Sequence, residues 1–140
     1  MSDTGPKIEL AGCRDLDGLV PLVRAYHEFE HVVLSDAQRV AALKPLLTDA
    51  SLGRIWLIRM RGCLVGYIAV CFGYSIEFIG KDAFVDEFFI EPGWRGRGIG
   101  SKVLTAICRE ATRLGIVGED AGTGNRSLEP RDIRRELRDR

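Results

Sequence analysis

Phe88-Phe89-Ile90-Glu91-Pro92-Gly93-Trp94-Arg95-Gly96-Arg97-Gly98-Ile99-Gly100-Ser101 is the stretch on which the fold turns. Its first three residues are apolar at consecutive positions, as in a strand buried on both faces. Pro92 and Gly93 end that strand. Glycines at 96, 98 and 100 alternate through the turn that follows. Ile99, Val103, Leu104, Ile107, Ala111 and Leu114 then recur at helical spacing, and Gly115 can stop that helix. A strand, a glycine turn and a helix start, in that order, suit an anion. The first N–H groups of a helix lack partners, and the helix end carries partial positive charge. Glycine lets the backbone approach a phosphate with no side chain between them. Arg95 and Arg97 can add charge-assisted hydrogen bonds. The alternative is a tight Gly-rich connection that holds no ligand.

Upstream, Ala83 to Ile90 reads as one strand and Gly73 to Asp82 as a loop before it. Ile55–Met60 and Cys63–Phe72 are rich in strand formers, and Arg61-Gly62 between them predicts a hairpin. Ser35 followed by Gln38 is a capping-box pattern. It opens a helix carrying Val40, Leu43, Leu46 and Leu47, with Pro45 inside. Asp15 can cap an earlier helix whose Leu16, Leu19, Val20, Val23 and Tyr26 make one apolar face. Pro21 lacks an N–H, so a kink or a late start is expected there. Lys7 to Ala11 alternates as a short strand. The order is strand, two helices, three antiparallel-type strands, glycine turn, helix. That is an α+β, or mixed α/β, layered fold with a mostly antiparallel central sheet flanked by helices.

A chain of 140 residues, 46% hydrophobic, suits one domain with a real core. Its formal net charge is zero, so no global field draws it to nucleic acid or to a membrane, and neither is expected as a partner. Met1 to Pro6 is polar, with no apolar run behind a basic start. The longest mostly apolar stretch, Leu64 to Tyr74, is too short for a bilayer, which takes about 20 residues. Cys13, Cys63, Cys71 and Cys108 show no CxxC pairing and no histidine at metal spacing. They read as small buried residues of a reduced, cytoplasmic protein. His27 and His31 stand four apart with no third ligand, so no metal is assigned. Ser101-Lys102 is in the wrong order for a P-loop, and G-x-G-x-G without a βαβ unit ahead of it is not the dinucleotide fingerprint.

Arg95-Gly96-Arg97-Gly98-Ile99-Gly100 resembles the R/Q-x-x-G-x-G/A signature of the GNAT N-acetyltransferases. Phe88-x-Ile90-x-Pro92 fits the strand and proline before that signature, and Ser101 to Leu104 fits the helix after it. Asp86 to Leu104 is the specific part; the order of elements upstream supports it. The resemblance implies an acyl-CoA N-acyltransferase fold. It also implies acetyl-CoA as co-substrate and acetyl transfer to a primary amine of a small molecule or peptide. It assigns the backbone of Phe88, Phe89 and Ile90 to the pantetheine arm. It assigns Arg95, Gly96, Arg97, Gly98, Ile99, Gly100 and Ser101 to the pyrophosphate. Val85-Asp86-Glu87-Phe88-Phe89-Ile90 also resembles the acidic stretch of spermidine/spermine acetyltransferases.

An alkylamine has a pKa near ~10.4, so it arrives as the ammonium and must lose a proton. A carboxylate can take it, directly or through a water. Glu87 is placed first for this role and Asp86 second. Without a bulge only one of the two can face the reacting group, since successive strand residues point to opposite sides. The alternative for either is to bind a cationic substrate or cap the strand. Strand N–H groups can stabilise a developing oxyanion, each worth roughly 2.7–4 kcal/mol. Tyr26, Glu28 and Tyr74 are the candidate substrate contacts, with Glu30 and Glu77 beside them. The alternative for each is an ordinary packing or surface role.

The last quarter departs from the family pattern. The resemblance implies a further strand, a helix with a tyrosine as general acid, and a final strand. No tyrosine follows Tyr74, Gly118 to Leu128 is polar and Gly-rich, and Pro130 to Arg140 is densely charged. The expected organisation is a GNAT-like domain over 1–117 and an atypical Arg-rich tail over 118–140. The C-terminal strands would then be missing through a frame change or truncation. An open sheet edge recruits pairing, so a second copy in a homodimer is a candidate to complete the cleft. The competing function is a non-catalytic or defective acyl-CoA-binding domain completed by a partner chain.

Overall fold

The structure, a computed structural model, describes residues 5–76 and 79–113. Its elements are β1 (Lys7–Leu10), α1 (Leu16–Glu30), α2 (Asp36–Thr48), β2 (Gly53–Met60), β3 (Cys63–Ser75), β4 (Gly80–Ile90) and α3 (Ile99–Arg113). Short 3-10 turns at Cys13–Asp15 and Pro92–Trp94 lead into α1 and out of β4. The strands form one antiparallel sheet in the order β1-β2-β3-β4. Among the described residues β4 is therefore an edge. The boundary expected at residue 117, the stub Ile116-Val117 and the tail beyond lie outside the described residues.

Each sheet face buries a separate cluster. On one, Ile99, Val103, Leu104 and Ile107 of α3 pack on Trp56, Ile58, Ile68, Val70 and Val85. Ile107 is fully buried, and such burial stabilises by about 1.5–3 kcal/mol per side chain. On the other, Leu19, Leu22 and Val23 of α1 and Leu43 of α2 cover Ile55, Leu57, Tyr67, Ala69 and Phe89. The helical and strand periods read from the sequence are these two interfaces. No helix of the described residues is long and apolar enough to cross a membrane.

The local signals act as expected at two places. Ser35 accepts from the Gln38 amide at 3.1 Å, and Gln38 accepts from the Ser35 amide at 2.8 Å, closing the capping box of α2. Arg61 (φ 52°) and Gly62 (φ 82°) both lie in the left-handed region. That is the type I′ geometry whose twist matches a two-residue hairpin.

Four readings need correction. Gly73 to Asp82 does not read as one loop, because its two ends are strand: Gly73 pairs with Asp82, Tyr74 with Lys81 and Ser75 with Gly80. Cross-strand backbone bonds carry the hairpin through polar residues that alternation alone reads as irregular. Of the kink or late start expected at Pro21, the late start is absent, since α1 already begins at Leu16. Asp15 stands at the N-cap of α1, but its carboxylate accepts from the Gly12 amide at 2.9 Å instead of from the helix. Of the four cysteines only Cys108 is buried; Cys13 is exposed in the first 3-10 turn, Cys63 is exposed at the start of β3 and Cys71 is partly covered.

Candidate active site

β4 carries a bulge at the carboxylates. Its register steps from Glu87 opposite Ala69 to Val85 opposite Val70, which leaves Asp86 unopposed. Ala83 and Val85 bury toward α3 before the bulge, and Phe88 and Ile90 do so after it. The alternation thus shifts by one residue, and Glu87 turns toward α1. An extra residue in one strand bends it and re-aims its side chains. The restriction to one carboxylate, which assumed a regular strand, is lifted here. Asp86 too is near enough for its charge to act on Tyr67.

Glu87 is held at both oxygens. Oε1 accepts from the Tyr67 hydroxyl at 2.7 Å, and Oε2 lies 2.7 Å from His27 Nε2. His27 Nδ1 in turn accepts from Arg39 Nε at 3.1 Å. A guanidinium only donates, so Nδ1 carries no proton and Nε2 does. Nε2–H therefore donates to Glu87. Arg39 Nη1 donates to Asp36 at 2.8 Å, and Arg24 grips the same carboxylate at 2.6 and 3.1 Å. His27 and Arg39 are 5% and 6% exposed, so their link is buried between α1 and α2, while the Arg24–Asp36 pair that continues it is exposed. Burial pushes the Tyr67 phenol well above its ordinary 10.0, and the charges of Glu87 and Asp86 push it further. Tyr67 is a neutral donor.

The glycine turn presents bare backbone. Gly96 and Gly98 adopt φ of 79° and 77°, and a Cβ on either would meet no atom within 4 Å. Backbone conformation, not crowding, calls for glycine here. Among the described residues no acceptor takes the N–H groups of Gly96, Arg97 or Gly98. Arg97 lies over Trp94 at 5.0 Å and donates to the Gly93 carbonyl at 3.3 Å. Arg95 donates Nε to the Ile90 carbonyl at 2.7 Å. Its guanidinium also lies against the rings of Phe29 (5.5 Å) and Phe89 (5.4 Å). Unpaired amides, open space and two cations beside a helix start could hold a diphosphate.

A cleft of about 330 Å³ lies beside these parts. Phe88, Phe89 and Ile90 line it along with Arg95 and Gly100, and Tyr26, Phe29 and Glu30 of α1 line it too. The end of β4 reaches this position by close approach to β3. A Cβ on Gly66 would stand 2.1 Å from the Phe89 carbonyl oxygen. Tyr26 and Phe89 connect the cleft to the buried network. The Tyr26 ring meets Tyr67 edge-on at 6.4 Å and Phe89 at 6.2 Å.

The profile of the acetyltransferase (GNAT) family matches residues 19–126. The chain belongs to the GNAT acetyltransferase family. Thialysine N-epsilon-acetyltransferases from Bos taurus and Sus scrofa are 34% identical to it over 53 residues. That match spans 38% of this chain and only 31% of each relative. Among solved structures, an integron cassette protein from the mobile metagenome of Cole Harbour Salt Marsh is 31% identical, with a TM-score of 0.74 and 87% of both chains covered. A predicted acetyltransferase from Clostridium acetobutylicum, solved with acetyl-CoA, shares the fold at 18% identity and a TM-score of 0.67, over 81% of this chain and 77% of its own.

In this GNAT chain Phe88, Phe89, Ile90, Arg95, Gly100 and Tyr26 converge on the cleft. Glu87 lies one residue before its wall. Gly96, Arg97 and Gly98 form the turn beside it. The Ile99 side chain is in the α3 core, so only its backbone is available to the turn, and Ser101 is exposed in the first turn of α3. Glu28 and Tyr74 are not brought in. Glu28 is exposed on α1, and Tyr74 is 73% exposed near the β3–β4 connection. Glu77 lies outside the described residues.

Sequence reasoning missed Tyr67, Arg39 and the partnership of His27. A signal was present for two of them. Leu19, Val23 and His27 are spaced by four on the buried face of α1, and Arg39 and Leu43 are so spaced on α2. A histidine and an arginine on facing buried stripes need each other or a third polar partner.

Proposed function

We propose that this chain transfers the acetyl group of acetyl-CoA to a primary amine of a small molecule or peptide, with Glu87 as general base. The observation that carries the reading is Glu87 itself. It is a carboxylate fixed by Tyr67 and His27 on the bulged strand that runs into the cleft. Acetyl-CoA supplies the activated acetyl thioester. The N–H groups of Gly96, Arg97 and Gly98, with those of Ile99, Gly100 and Ser101 at the helix start, hold its diphosphate. The edge of β4 at Phe88–Ile90, unpaired among the described residues, receives the pantetheine arm as an added strand would. Arg95 fixes that strand end through the Ile90 carbonyl, and Arg97 adds charge beside the turn.

Glu87 takes the proton from the amine nitrogen, directly or through a water. Asp86, unopposed at the bulge, adds negative charge that favours a cationic amine. Tyr26 walls the amine's approach. Glu28 and Tyr74 stay out of this role. The thialysine acetyltransferases matched over 53 residues support a small amine as acceptor.

Thiol release from acetyl-CoA, followed across a panel of small amines and amino-terminal peptides, tests the proposal. At least one amine should drive release in wild type, and Glu87→Gln should suppress it. The absence of any tyrosine after Tyr74 favours a second reading, a module that binds acyl-CoA without turnover. Binding with no thiol release from any amine would select that reading.

A further inference from the structure

We propose that Arg39 and His27 are positioning residues for Glu87: Arg39 locks His27 as a hydrogen-bond donor and bars it from relaying the proton that Glu87 receives. The inference rests on Glu87 being the general base. The direction of the Arg39–His27 bond decides the tautomer. A buried histidine beside a carboxylate can serve as a relay if it takes a proton at one nitrogen and releases one from the other. Here Nε2 already carries a proton and gives it to Glu87 at 2.7 Å. Nδ1 is covered by Arg39 Nε at 3.1 Å, a group that cannot accept. The ring has no free lone pair.

The surroundings reinforce the lock. From α1 the network receives His27, Tyr26 and Arg24; from α2, Arg39 and Asp36; from β3, Tyr67; from β4, Glu87 and Asp86. Asp36 accepts from Arg39 and from Arg24, so the Arg39 fork is anchored on the side away from the site. Glu87 then has two neutral donors, one on each oxygen, and a side chain 22% exposed. The proton leaving the amine nitrogen sits on a Glu87 oxygen. It departs to water through that exposed side, not inward through α1. Such fixed outer partners orient a reacting group at little entropic cost.

The test uses the full chain. Nitrogen-15 histidine labelling with long-range proton correlation reports each ring's tautomer, and His31→Gln assigns the two signals. His27 should appear as the neutral Nε2–H form at pH 7, and Arg39→Met should shift it toward the other tautomer or the imidazolium. A wild-type His27 seen as Nδ1–H or as imidazolium overturns the proposal. Kinetics give the second arm. Glutamine can accept from Arg39 and donate to Glu87 but cannot relay a proton. His27→Gln should keep kcat within roughly 10-fold of wild type, and His27→Leu should lose roughly 100-fold, with KM for acetyl-CoA unchanged in both. Equal losses in the two variants point to a relay and reject the lock. Full activity in His27→Leu rejects positioning. Should the leucine variant not fold, glutamine and the tautomer spectrum decide. A protein that releases no thiol with any amine fails the acetyltransferase reading and, with it, the claim about the proton on Glu87; the tautomer spectrum needs no turnover and still tests the Arg39–His27 lock separately.

Discussion

Replacing Glu87 with glutamine removes a charge and keeps a shape. The two bonds to Glu87, from Tyr67 and from His27, are each 2.7 Å and charge-assisted. Glutamine can preserve both. Its carbonyl oxygen accepts from His27 Nε2–H, and its NH₂ donates to the Tyr67 hydroxyl, which also has lone pairs. Exchanging two charge-assisted bonds for neutral ones costs about 1–2 kcal/mol net, partly offset because a neutral amide is easier to bury. For a chain of 140 residues that is a melting-temperature drop of about 3–7 °C. Loss of a general base costs far more in rate, about 10²–10⁴ in kcat. Three measurements on one protein separate the roles: thermal melting, calorimetric binding of acetyl-CoA, and kcat with the best amine. Near-normal binding, a modest drop in melting temperature and at least a 100-fold loss of kcat are expected. A variant that binds normally and turns over at nearly the wild-type rate would refute Glu87 as base.

Tyr67 should stay a phenol in the folded protein well above the pH at which its unfolded form ionises. Its pKa is raised, so its contribution to stability is complete below the unfolded value of 10.0 and is lost as pH climbs above it. Ultraviolet titration should show Tyr67→Phe leaving the native phenolate curve unchanged; a missing component near pH 10 would contradict the burial. Gly62→Val places a β-branched residue at φ 82° and should cost about 1–2 kcal/mol in urea unfolding. An unchanged midpoint would deny the type I′ turn.

The sequence announced its structure where one residue type meets one local need. Ser35 with Gln38, Arg61-Gly62 and the α3 stripe from Ile99 to Ala111 each satisfy a rule that operates within a few residues, and each appears where expected. The turn from Arg95 to Gly100 was legible for the same reason. What stayed hidden depends on a partner far along the chain. The strand pairing over Gly73 to Asp82 is fixed across a hairpin, not by its own polar residues. The bulge at Asp86 exists only relative to β3. Glu87 meets His27 across sixty positions, and Arg39 meets His27 between two helices. No local pattern encodes such a meeting, although the helical phase of His27 and Arg39 carried an unread signal of their burial.

Cofactor binding depends most on the amides from Gly96 to Gly98 gripping a diphosphate. Calorimetric titration of acetyl-CoA into wild type and into Gly98→Glu tests this directly. A Cβ at 98 would meet no atom within 4 Å, so the new carboxylate has room beside the turn amides assigned to phosphate. Wild type should bind one equivalent, and the glutamate variant, still folded, should bind none. Equal binding by both proteins, or none by folded wild type, would contradict the account.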